Sequence, residues 1–166
     1  MAIEHDFFGL LETRPDGSIS WAEDIDLGDM RVEVELSAPD EDDVTLDALD
    51  AGASFVNGLE ELDSRARNAM LGEVDNRASD AAEFVVAIVE KYGDDLEDLL
   101  IDVSGDAPVD VIRTLSLTTV LIVAEEHGTS EPFALFEYVF DPEGDVGAGL
   151  VVGFASDGTV MSVRGD

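Results

Sequence analysis

Cysteine is absent from this chain of 166 residues, and lysine occurs only at Lys91. Without cysteine there are no disulfides, no thiolate nucleophile and no zinc–thiolate site, which suits a reducing compartment. Lysine and arginine together number 8. Binding to polyphosphate needs clustered cations that displace counterions, and no such cluster is present, so DNA and RNA are not expected partners. Anionic membrane surfaces are excluded for the same reason. Long apolar runs are missing as well. The stretch from Val120 to Ala124 is far below the roughly 20 residues of a membrane helix. The opening Met1-Ala2-Ile3-Glu4-His5-Asp6 has neither the basic start nor the apolar stretch of a secretory signal, and a cytoplasmic protein is expected.

Acid is present in excess. Forty Asp and Glu residues give a net charge of -32. A folded chain of 17.7 kDa exposes roughly 8,000 Å², or about 250 Å² per net charge. Uncompensated charges then lie about 16 Å apart, twice the Debye length at physiological salt. Self-repulsion is tolerable there and severe near 10 mM salt, where screening reaches about 30 Å. Two readings fit. One is a proteome-wide bias of a salt-loving or acid-biased bacterium that keeps surfaces solvated. The other is complementarity to a basic partner, such as a nuclease, with carboxylates standing in for phosphates. Composition leaves both open.

Hydrophobic residues make up 45%, enough for a core. Residues 7–13 read as a strand, followed by a turn at Arg14-Pro15-Asp16-Gly17-Ser18. A second strand covers Ile19 to Ala22. Met30, Val32, Val34 and Leu36 alternate with Arg31, Glu33 and Glu35, the pattern of a third strand with one wet face. From Leu46 the period lengthens. Leu49, Ala53, Val56, Leu59, Leu62, Ala66 and Met70 mark an amphipathic helix with a break or kink at Gly52 or Gly58. Ser79 caps a second helix carrying Phe84, Val85, Ile88, Val89 and Tyr92, and Gly93 ends it. A short helical segment opens at Asp94-Asp95, and another has Pro108 in its first turn. Leu117 to Ala124 read as a central strand covered on both faces. Phe133 to Phe140, Leu150 to Ala155 and Val160 to Val163 complete four strands, the last two joined by a hairpin at Ser156-Asp157-Gly158-Thr159.

The expected fold is one α+β domain over residues 1–166. A three-stranded N-terminal meander (about 7–36) and a four-stranded C-terminal meander (about 117–164) form antiparallel sheet, with helices (about 45–115) packed on one face. The segments FFGLLET, ISWAEDIDLGDMRVEVEL, LSLTTVLIVAEE and FALFEYVFDPEGDVGAGLVVGFASDGTVMSV resemble a small bacterial family of unknown function, domain of unknown function number two thousand and four. The likeness covers the two ends of the chain and rests on apolar strand patterns, Phe136 and Tyr138, and an Asp-Gly turn. It implies the same strand–helix–strand order and brings no reaction, cofactor or site residue.

Catalytic signatures are sparse. His127, in Glu125-Glu126-His127-Gly128 with Ser130 nearby, could serve as a general base, but no Gly-x-Ser-x-Gly elbow accompanies it. A solvated turn residue is the plainer reading. His5 is expected in a mobile terminus. Glu125, Glu126 and His127 offer one imidazole where a zinc helix needs two histidines four apart. Asp40-Glu41-Asp42-Asp43 and Asp141, Glu143, Asp145 do not match a calcium loop, and such clusters arise readily in so acidic a chain. Gly147-Ala148-Gly149 and Gly153 precede a strand rather than a helix and read as turn and strand glycines. Phe136, Tyr138 and Phe140 share one strand face and Phe133 the other, with core packing their ordinary role. No catalytic, cofactor-binding or metal residue is therefore expected. The candidate interaction surface is Asp40, Glu41, Asp42, Asp43, Trp21, Phe136 and Tyr138. The expected function is a non-enzymatic acidic binding protein with a basic protein partner or a second copy of itself. The alternative is a divergent hydrolase or small-ligand domain using Asp, Glu and His127.

Overall fold

A computed structural model of the chain describes residues 2–28, 30–38, 40, 42, 44–100, 103–123, 132–140 and 149–165. Among the described residues, eight strands fall into two sheets. β1 (Ala2–His5) and β2 (Gly9–Glu12) pair antiparallel as a separate hairpin. β3 (Ile19–Leu27), β4 (Met30–Ala38), β5 (Ser116–Val123), β6 (Ala134–Val139), β7 (Gly149–Phe154) and β8 (Val160–Gly165) form a six-stranded sheet in chain order. Every pairing in it is antiparallel except β4 with β5, where Val34 lies beside Val120 and Leu36 beside Ile122. A parallel step needs a long crossover, and the helical segment supplies it.

The architecture is α+β, as expected, but its strands are arranged differently. The two meanders are not separate units; they join along the parallel β4–β5 seam into one sheet. The strand read over 7–13 is instead a turn followed by β2, paired with β1. Gly9, at φ 72, occupies a conformation that would strain any other residue at the point where β2 begins. The turn itself is built on a side chain: the backbone N–H groups of Phe7 and Phe8 donate to His5 Nδ1.

The helices among the described residues are α1 (Leu46–Asn57), α2 (Leu59–Val74), α3 (Asp80–Tyr92), α4 (Leu96–Leu99) and α5 (Ala107–Thr114), with a 3-10 turn at Gly93–Asp95. Their caps are legible chemistry. Thr45, Ser79 and Asp106 each accept a hydrogen bond from the third residue on, at Ala48, Ala82 and Val109. The expected break falls at Gly58, between α1 and α2. Gly52 lies inside α1 for another reason. A Cβ there would sit 2.9 Å from Leu36 Cδ1, so the missing side chain lets α1 lie close on β4.

One hydrophobic core lies between the sheet and these helices. Val32, Val34, Leu36 and Ala38 of β4 are buried while Arg31, Glu33 and Ser37 alternate outward. In β6, Ala134, Phe136 and Tyr138 point inward, and in β7 Leu150, Val152 and Phe154 do. Phe55 of α1 meets the rings of Phe133, Phe136 and Phe154 at 5.4, 6.5 and 6.0 Å. Phe133 thus joins the same core as Phe136 instead of facing away; it precedes β6, where strict alternation does not apply. β5 alternates too: Leu117, Val120 and Ile122 are buried, while Thr119, Leu121 and Val123 keep partial exposure on the other face. It is not covered equally on its two sides. Among the described residues no helix is long and apolar enough to cross a membrane.

Candidate interaction surface

The folded chain exposes 9279 Å² for its net charge of -32. That is about 290 Å² per charge, a spacing of about 17 Å against a Debye length of about 8 Å. Most of its arginines are engaged by the chain itself. Arg31 Nη2 lies 2.9 Å from Asp24, Arg65 Nη2 2.6 Å from Glu61, and Arg67 Nε 3.1 Å from Asp63. Arg14 Nη2 donates to Ser20 Oγ at 2.6 Å. On β4 the acids crowd one another, and a hydrogen bond and charge from Glu35 raise the Glu33 carboxyl above its ordinary value.

The residues expected to form an interaction surface separate in space. Asp40 and Asp42 are exposed, with the Asp42 N–H donating to Asp40 Oδ1; Glu41 and Asp43 lie outside the described residues. Trp21 is half-buried, its ring 4.9 Å from that of Phe8 and 6.5 Å from that of Phe7. Phe136 and Tyr138 are 0% exposed and belong to the core, so they leave the candidate surface. Their strand face packs under the helix layer, which the aromatic spacing alone could not reveal. His127, Glu125, Glu126, Ser130, Asp141, Glu143 and Asp145 lie outside the described residues.

Buried polar groups are committed to the fold. The Tyr138 hydroxyl donates to Asp63 Oδ1 at 2.7 Å, and Asp63 also accepts from Arg67 Nε. Arg67 Nη1 reaches Ile112 O, and its guanidinium lies 5.1 Å from the Tyr138 ring centre. Burial first, then the Asp63 charge, pushes ionisation of Tyr138 far above its ordinary value. Asp110, 1% exposed, accepts from the Ser104 hydroxyl and N–H, and these hold its carboxyl below the ordinary value. His5 is buried rather than terminal and loose. Its Nε2 lies 2.8 Å from Asp50 while Nδ1 accepts from backbone, which fixes the Nε2–H tautomer of the neutral ring. Each of these groups already has its partners. Among the described residues no three His, Asp or Glu side chains converge as metal ligands.

One surface feature escaped the sequence reading. A groove of about 650 Å³ beside α3 is lined by Ala82 and Val85 of that helix together with Val74, Arg77 and Pro108. Val86, 55% exposed, Ala87, Glu83 and Glu90 of the same helix also line it. Val89 nearby is 37% exposed, although its apolar character suggested a core position. The available signal was that α3 is apolar around most of its circumference, a pattern that ordinarily calls for burial on every side. A smaller pocket of about 130 Å³ at the α1–α2 junction is bridged by Arg65 Nη1, which donates to Gly158 O.

No protein-family model, no curated protein and no solved structure matches this chain.

Proposed function

We propose that the chain is a non-enzymatic cytoplasmic interaction protein that offers an anionic surface to a basic protein partner. The observation that supports it is the surplus of exposed carboxylate left after Arg31, Arg65 and Arg67 have paired within their own chain. Fields of one sign steer and select partners of the opposite sign, and they act on association rate more than on affinity. Two copies of a chain at -32 would have to overcome their mutual repulsion, which favours a foreign basic protein over self-association. The acidic residues serve as the recognition surface, and His5 has a structural task between β1, β2 and α1. The likeness to domain of unknown function number two thousand and four remains part of this proposal and adds no reaction to it.

The test is affinity capture at near-physiological salt, set beside a control bait of equal size and net charge. Basic proteins retained by this chain above the control, and released by salt, are the expected result. Retention no different from the control, with a monomer in sedimentation, overturns the reading.

A further inference from the structure

We infer that the groove beside α3 docks an amphipathic helix whose apolar ridge is flanked by basic residues about seven positions apart. This rests on the reading of an anionic interaction protein and says where and how its partner is held. Helix α3 is the starting point. Ala81, Ala82, Phe84, Val85 and Ile88 are already buried against the fold, yet Val86 and Val89 of the same helix stand 55% and 37% exposed. Val86 leaves apolar surface in water beside the apolar residues that line the groove. The groove is lined by apolar Val74, Ala82, Val85, Val86, Ala87 and Pro108, the kind of surface on which an amphipathic helix lays its apolar face.

Charge selects the occupant. Glu83 and Glu90 are both exposed and seven residues apart, so they stand about 10 Å apart along one side of α3, with Val86 and Ala87 between them. A ligand helix lying along the groove meets this pair with two cations at the same spacing. A second copy of α3 meets it badly. Antiparallel packing centred on Val86 and Ala87 brings Glu83 of each copy opposite Glu90 of the other, two like-charge contacts at the ends of one interface. Arg77, also lining the groove, suits the carbonyl end of the bound helix, where the helix dipole is negative.

The probe is a synthetic peptide of about 20 residues, long enough to become helical when bound. It carries a leucine ridge flanked by lysines at seven-residue spacing. A scrambled version and a twin with glutamate for lysine accompany it, and binding is read by fluorescence anisotropy near 0.15 M salt. The lysine peptide should bind better than its scrambled version, and Val86→Asp should weaken it at least about tenfold, a loss typical of a buried interface anchor. The double variant Glu83→Lys/Glu90→Lys should lose the lysine peptide and gain the glutamate twin. Val86 is exposed, so its variant is expected to keep the wild-type circular dichroism and melting temperature, which are checked alongside. If the lysine peptide binds wild type and Val86→Asp alike, the groove is overturned while the anionic reading survives. Equal binding of the glutamate twin by wild type overturns both, and binding of no peptide overturns the groove. A dimer in sedimentation that Val86→Asp dissolves makes a second copy the occupant and overturns the inference as well.

Discussion

Helices α2 and α3 lie side by side against the same sheet, and they finish their outer faces in opposite ways. On α2, Leu59, Leu62, Ala66 and Met70 are buried and the water side is polar, with Glu61–Arg65 and Asp63–Arg67 paired one turn apart. Its outer surface is complete in water. On α3 the inner side is as well packed, but Val86 and Val89 stay exposed, and for Glu83 and Glu90 no ion pair is found among the described residues. The same fold therefore holds one helix with two ion pairs one turn apart and one that keeps two valines exposed. Location on the surface does not distinguish them; how the polar groups are matched does.

That contrast can be broken by substitution. The largest effects belong where the two helices are alike. Met70→Ala on α2 and Ile88→Ala on α3, 0% and 3% exposed, should each cost about 2–5 kcal/mol in denaturant unfolding. A much smaller cost for Ile88→Ala would mean α3 is not anchored as described. Asp63→Ala comes next. It leaves the Tyr138 hydroxyl and the Arg67 guanidinium short of their acceptor, and should cost about 2–3 kcal/mol. Tyr138→Phe should cost less, about 1 kcal/mol, because Asp63 keeps Arg67.

Tyr138 also sets a pH limit. Its ionisation is pushed up in the folded state by burial and by Asp63, while the unfolded chain loses that proton near the ordinary value of about 10. The unfolded state therefore binds fewer protons above that value, and stability falls as pH rises through it. Melting temperature followed from pH 8 upward should show this loss in the wild type, and Tyr138→Phe should flatten it. Salt is a gentler probe. Raising it from about 10 mM toward 1 M should lift the melting temperature by screening self-repulsion, and a flat profile would contradict that account. The smallest effect belongs to the outer side of α3. Val86→Ser should change stability by no more than about 0.5 kcal/mol, as expected of an exposed site; a loss like that of Ile88→Ala would show the groove to be core.

The sequence made legible what is governed by near neighbours. Alternation over Met30 to Leu36 marks β4, Ser79 and Gly93 bracket α3, and Pro108 sits in the first turn of α5, because caps and periods act within a few residues. Pairing across the β4–β5 seam was not legible, since alternation tells which side a residue faces and not which strand lies beside it. The His5 turn was hidden for a similar reason. Its anchor, Asp50, is 45 residues away, and nothing in FFGLLET announces that a ring nitrogen would replace two strand hydrogen bonds. Of the candidate surface, acidity was visible from composition, whereas the burial of Phe136 and Tyr138 depends on helices that pack over them from elsewhere. Even so, the apolar residues over most of the α3 circumference could have been read from its letters.

The seam between β4 and β5 bears on how the chain acquires its shape. The β3–β4 ribbon and the succession β5 to β8 pair strands next to each other in sequence, so they can form early from local encounters. Joining them requires residues 39–115 to close on themselves, at an entropic cost repaid only once the helices have docked. The last contacts to lock should be Val34 with Val120 and Leu36 with Ile122. Trimming either pair should then speed unfolding more than it slows folding, as for residues that gain their contacts after the barrier.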